Sequence, residues 1–148
     1  MGQVSSELGQ RIYFDTNVVI YAVEGFADYA DQIQALLKAM SIGEIVAVTS
    51  ELTLAETLVK PLKDQNVAIQ RAYRRFLIPT AAFEIKPISR NILETAAQWR
   101  ATSKLKLPDA IHLATCLSER CDSLLTNDDA FKSLNLTQIK MLSDVSLA

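Results

Sequence analysis

Four carboxylates in this 148-residue chain stand where a strand should end or a helix begin. Asp15 closes the apolar run Arg11 to Asp15 (RIYFD), and Glu56 follows the β-branched run Ile45 to Thr49 (IVAVT). Asp109 comes directly after Pro108, and Asp128 lies two residues past Ser123 to Thr126 (SLLT). Singly, each acid has a structural explanation. Asp15 can cap the next helix, Thr53-Leu54-Ala55-Glu56 fits a capping box, and Asp109 at a helix start is favoured by the helix dipole. Thr126-Asn127-Asp128-Asp129 reads as another box. Jointly, four acids at one end of one sheet repel one another unless a cation sits between them.

The chemistry open to such a set is narrow. Oxygen donors without histidine or cysteine suit Mg²⁺ or Mn²⁺, which keep several waters and are usually bound together with substrate phosphates. An ion held this way activates water and stabilises charge on a phosphate undergoing in-line displacement. No glycine-rich phosphate loop, GxSxG elbow or Cys/His pair competes. Cys116 and Cys121 are not spaced as CxxC, and with a single histidine the chain lacks a Cys/His zinc set. The two thiols read as small buried groups. His112, three residues after Asp109, reads as a packed or surface histidine rather than a substrate contact.

The net charge of −2 hides an asymmetry. Lys60 to Lys106 holds ten basic and three acidic residues, whereas the rest of the chain holds five and fourteen. An acidic site beside a basic middle fits an enzyme acting on a polyanion. Arg71, Arg74 and Arg75 fall on the polar side of one helical pattern and are the candidate face for the phosphates of a polyanionic substrate.

The elements that must position these residues follow from periodicity. Strands are expected at Arg11 to Asp15, Ile45 to Thr49, Phe83 to Ile88, Ser123 to Thr126 and, at the edge, Gln138 to Leu142. Helices are expected from VVIYAV, from Tyr29 to Met40, and after Ser50 or Thr53 as far as Pro61, which should interrupt the last of these. Further helices are expected at Val67 to Ile78, from Ser89 to about Ser103, and from Pro108, with a short helical turn at DDAFKSL. Strands alternating with helices predict a parallel sheet covered on both faces, with its ligand at the carboxyl ends of the strands. One domain spanning 1–148, with its core at about 11–143, is expected from the length. The first ten residues are polar and no apolar run is long enough to span a membrane, so a cytoplasmic protein is expected.

In order, DTNVVIYAV after a strand, TLAETL, LPDAIHLATCL and LLTNDDAF resemble the PIN-domain nucleases, and the compact form is similar to the VapC toxins of toxin–antitoxin pairs. The resemblance covers nearly the whole chain. It implies a three-layer α/β/α sandwich with a mainly parallel five-stranded sheet and Mg²⁺- or Mn²⁺-dependent cleavage of RNA. It assigns Asp15, Glu56, Asp109 and Asp128 as catalytic metal ligands, with Asn17 and Thr126 in support. Asp128 is preferred to Asp129 because Phe131 sets the register. It further implies an antitoxin partner, as in type II pairs, and a homodimer. Receiver and phosphatase domains fit less well, since Asp15 is followed by Thr16-Asn17 rather than by the acids those sites need. The remaining alternative is a non-catalytic PIN-like module that binds RNA or protein.

Overall fold

In a computed structural model, which describes residues 2–146, five strands form one sheet: β1 (Arg11–Phe14), β2 (Val46–Ser50), β3 (Phe83–Lys86), β4 (Ser123–Thr126) and β5 (Ile139–Met141). Their order is β3-β2-β1-β4-β5 and every pairing is parallel. The helices are α1 (Gln3–Leu8), α2 (Thr16–Glu24), α3 (Ala30–Ser41), α4 (Glu51–Lys63), α5 (Val67–Phe76), α6 (Arg90–Thr102) and α7 (Leu107–Ser118). The fold is therefore the expected α/β/α sandwich, with no antiparallel strand in the sheet.

Alternation along the strands builds two cores. Ile12, Phe14, Ala47 and Leu125 face a layer that includes Val18 and Val19 of α2 and Leu36 of α3. Tyr13, Val48 and Leu124 face the layer of α6 and α7, with Ile92, Ala96 and Leu113. Each central strand is buried on both sides, which explains its continuous apolar run rather than an alternating one. From β1 the chain works outward through β2 to β3, then crosses back through α6 and α7 to β4 on the other side of β1. The order thus switches direction between β1 and β4, which opens a crevice at their carboxyl ends.

Several details differ from or add to the expectations. A helix forms within the polar first ten residues, because Val4 and Leu8, four apart, bury one stripe of it while Glu44 accepts from the Ser5 N–H at 2.7 Å. Val4 and Val145 both join the core, which thus extends past 11–143. Pro61 does not interrupt α4; it lies buried in the last turn, where only one backbone bond is forfeited, and the chain turns afterwards at Gln65 with φ 54°. The outer strands β3 and β5 are also shorter than their apolar runs suggested.

Candidate active site

Asp15 follows β1 directly and its backbone N–H continues the ladder to Leu125 of β4 at 3.0 Å, so it is pinned at the switch between the two strands. The residue is 3% exposed. One carboxylate oxygen, Oδ1, accepts from the Thr16 N–H at 2.8 Å and caps α2. The other, Oδ2, accepts from the Thr126 hydroxyl at 2.7 Å and from the Asn17 amide at 3.3 Å. Asn17 in turn accepts from the Asn127 N–H at 3.1 Å, tying α2 to the segment after β4. Asn17 and Thr126 thus brace Asp15 from two elements.

Glu56 is half-buried on α4, and its role differs from a capping box. The N-cap of α4 is Ser50, whose hydroxyl accepts from the Leu52 N–H at 3.0 Å, so Thr53 lies inside the helix and bonds Thr49 at 2.7 Å. Glu56 instead turns to the crevice, where its Oε1 accepts from the Thr16 hydroxyl at 2.7 Å and meets His112 Nε2 at 2.7 Å. Burial works against its charge, yet the bonds from His112 and Thr16 hold its pKa below the usual carboxylate range.

Asp109 occupies the first turn of α7, which has no side-chain cap, and no hydrogen bond or ion pair within the described chain neutralises it. Burial, then the charges of Asp15 and Asp128, push its pKa up to about 6. Burial is the larger cause, and the neighbouring acids add to it, with His112 opposing them. Asp128 caps the turn Asp129–Leu134 through the Ala130 N–H at 2.9 Å, and Thr126 accepts from its own N–H at 3.0 Å. Asp129 points elsewhere: its side chain is 82% exposed and pairs with Lys132 at 3.0 Å.

His112 is fully engaged rather than inert. It is 1% exposed, with Nδ1 2.6 Å from the Tyr13 hydroxyl and Nε2 3.7 Å from Asp15 Oδ1. Burial alone would lower its pKa, but the Glu56 bond and the charges of Asp15 and Glu56 hold it above its ordinary value. The expected packed histidine is what forms, but its bonds to Tyr13 and Glu56, and the contact from Thr16, were not anticipated. The signal was present in the spacing, because residues three apart on a helix share a face and Asp109 is three before His112. Arg71, Arg74 and Arg75 are exposed on α5, as expected, and none of them pairs with a site acid.

The donor set is all oxygen, with His112 hydrogen-bonded to Glu56. No three such side chains among the described residues close on a single point as a bare cage. The chemistry of the donors, carboxylates alone, is that of a hydrated ion, since Mg²⁺ takes one or two carboxylates directly and reaches others through its waters. Asp15, Asp109 and Asp128 are the residues that would hold it, with Glu56 at the rim.

The PIN domain model matches residues 12–135. The chain belongs to the PIN domain family. A toxin–antitoxin complex from Klebsiella pneumoniae contains a chain 28% identical, at a TM-score of 0.66, with 88% of this chain and 97% of that one covered. VapBC2 from Rickettsia felis, bound to a promoter DNA fragment, aligns at 0.67 and 19% identity over 89% and 98%. VapC20 from Mycobacterium tuberculosis, a sarcin–ricin loop cleaving toxin, aligns at 0.68 and 16% identity over 87% and 98%. This PIN domain therefore shares its fold with these chains. No curated protein sequence matches, and no helix among the described residues is long and apolar enough to cross a membrane.

Proposed function

We propose that this PIN domain is an Mg²⁺- or Mn²⁺-dependent endoribonuclease and the toxin of a type II toxin–antitoxin pair. The observation that carries the reading is the acidic crevice at the switch point, where half-buried Asp109 meets the charges of Asp15, Asp128 and Glu56 and only His112 opposes them among the charges that act on it. When bound, the ion supplies an activated water and charge stabilisation on the phosphate. Asp15, gripped by Thr126 and Asn17, keeps one fixed orientation. Asp109 and Asp128 complete the negative field from α7 and from the turn after β4. The family membership and the toxin–antitoxin complexes among its structural neighbours support the same reading, including an antitoxin as partner.

Cleavage of RNA by the purified protein with Mn²⁺ or Mg²⁺, absent in EDTA, is the expected result; no cleavage with either ion contradicts the proposal. For the RNA face we propose Arg71, Arg74 and Arg75. With catalysis silenced by Asp15→Asn, changing Arg74 and Arg75 to Glu should weaken RNA binding and flatten its salt dependence by about 0.7 log units per lost contact. An unchanged salt slope removes α5 from the mechanism.

A further inference from the structure

His112 is the only histidine of the chain, and both of its ring nitrogens are occupied. A carboxylate only accepts, so the 2.7 Å contact between Nε2 and Glu56 Oε1 requires a proton on Nε2, whatever the charge of the ring. Thr16 donates to the same Oε1 at 2.7 Å. Two donors therefore grip one oxygen of Glu56, while its Oε2 accepts no bond among the described residues. On the far side of the ring, Nδ1 is 2.6 Å from the hydroxyl of Tyr13, which is wholly buried beneath α7. The ring can neither tip nor slide without breaking one of these bonds inside a packed core.

The arrangement pairs acids with their supports. β1 carries Tyr13 two residues before Asp15, and α7 carries His112 three residues after Asp109. A glutamate on α4 has three rotatable bonds, and the bonds that its carboxylate makes to His112 and Thr16 choose among its rotamers. We infer that His112, fixed by Tyr13, is a positioning residue that aims the free oxygen of Glu56 into the acidic crevice. This rests on the nuclease reading above. The chain thus extends from Tyr13 through His112 to Glu56, and a buried histidine that merely satisfied its own polarity would have no effect on metal affinity.

The test measures Mn²⁺ affinity of the RNA-free protein by paramagnetic resonance, alongside kcat and KM for RNA cleavage. His112→Asn keeps a polar group near Tyr13 but is too short to reach Glu56. It should weaken Mn²⁺ binding about tenfold and lower kcat comparably, with KM unchanged, as expected for a lost outer-shell support. His112→Gln places an amide nitrogen near the former Nε2 and should restore most of both. In a Glu56→Gln background, His112→Asn should cost nothing further, because the group it orients is gone. Tyr13→Phe, which removes a single hydroxyl, should weaken Mn²⁺ binding about threefold and carries the test if His112→Asn fails to fold.

Unchanged Mn²⁺ affinity in the folded variants, or the same loss with and without the Glu56 carboxylate, overturns the role of His112. A wild-type protein that neither binds Mn²⁺ nor cleaves RNA overturns the nuclease reading beneath it. A wild type that does both, with variants that match it, overturns only the positioning role.

Discussion

The two ends of β1 handle acids in opposite ways. At its start, Arg11 forms a two-pronged pair with Glu84 at 2.8 and 2.9 Å and also reaches Glu119 at 3.1 Å, while Lys86 lies 3.1 Å from Glu84 and 3.3 Å from Glu119. Asp122 accepts the N–H groups of Gln10 and Arg11, each at 3.0 Å. Glu84 and Glu119 share two cations, and Asp122 is met by two backbone donors. At the other end, Asp109 feels the charges of Asp15 and Asp128, no lysine or arginine among the described residues pairs with any of them, and His112 lies 3.7 Å from Asp15. The titration behaviour separates the regions as cleanly as the geometry. The hydrogen bond from Arg11, aided by Lys86, pulls Glu84 down to about 2, whereas burial and neighbouring carboxylates push Asp109 up to about 6. The fold thus gives the acids at one end cationic partners and leaves those at the other end without lysine or arginine, the pattern on which the proposed metal site rests.

The largest expected effect lies at the bare end. Asp15→Asn should lower metal-dependent RNA cleavage on the order of a thousandfold or more, since it removes charge from the centre of the site. Circular dichroism and the metal-free melting midpoint should stay at or above wild type, because asparagine also caps helices and one member of a repelling group is gone. A variant that retains full activity would erase the distinction between the two ends.

Asp109→Asn sharpens the comparison through stability. The Asp109 carboxyl has a folded pKa of about 6 against an ordinary 3.8, so the native state binds more protons between these values. Metal-free stability from this group therefore falls as pH rises from 3.8 through 6 and is level beyond. Above pH 6 the variant should be the more stable protein by roughly 1–2 kcal/mol, the shift being discounted for partial exposure. Below pH 3.8 the two should agree. Urea unfolding followed by Trp99 fluorescence in EDTA at pH 8 and at pH 4 checks both, and a less stable variant at pH 8 contradicts the repulsion.

A smaller effect of opposite sign belongs to the compensated end. Arg11→Met should cost about 1 kcal/mol at pH 7, the size of a well-formed but partly exposed ion pair. Glu84 has a folded pKa of about 2 against 4.5, so its contribution is complete above pH 4.5 and lost as pH falls from 4.5 through 2. The gap between wild type and variant should close over that window and be insensitive to Mn²⁺. Urea titrations at pH 7 and 2.5 measure it.

Much of this was legible in the chain. Apolar β-branched runs at Ile12 and Val46 marked central strands, and Asp15 and Asp128 marked the switch point by following strands. What escaped was decided by tertiary context. Val4 and Leu8 make a stripe too short to stand out among polar neighbours, and it becomes helix only by packing on α3. Thr53 and Glu56 match a capping box in spacing, yet the helix starts three residues earlier at Ser50, so the glutamate was free for another task. His112 lies in the apolar stretch AIHLATCL, where a core histidine is the ordinary expectation; its partners, Tyr13 and Glu56, are 99 and 56 residues away in sequence.

The claim that the bare acids await a divalent cation is tested most directly by unfolding the wild-type protein and Asp15→Asn at pH 8 with increasing Mn²⁺. Binding to the native state alone stabilises by an amount that grows with the logarithm of ligand concentration, about 2.7 kcal/mol at a hundredfold excess over Kd. The wild type should gain stability in this way and overtake Asp15→Asn, which should stay flat, while the Arg11→Met variant should gain as much as the wild type. A wild type whose stability ignores Mn²⁺, or an Asp15→Asn protein that gains equally, would contradict the assignment of the acidic crevice as a metal site.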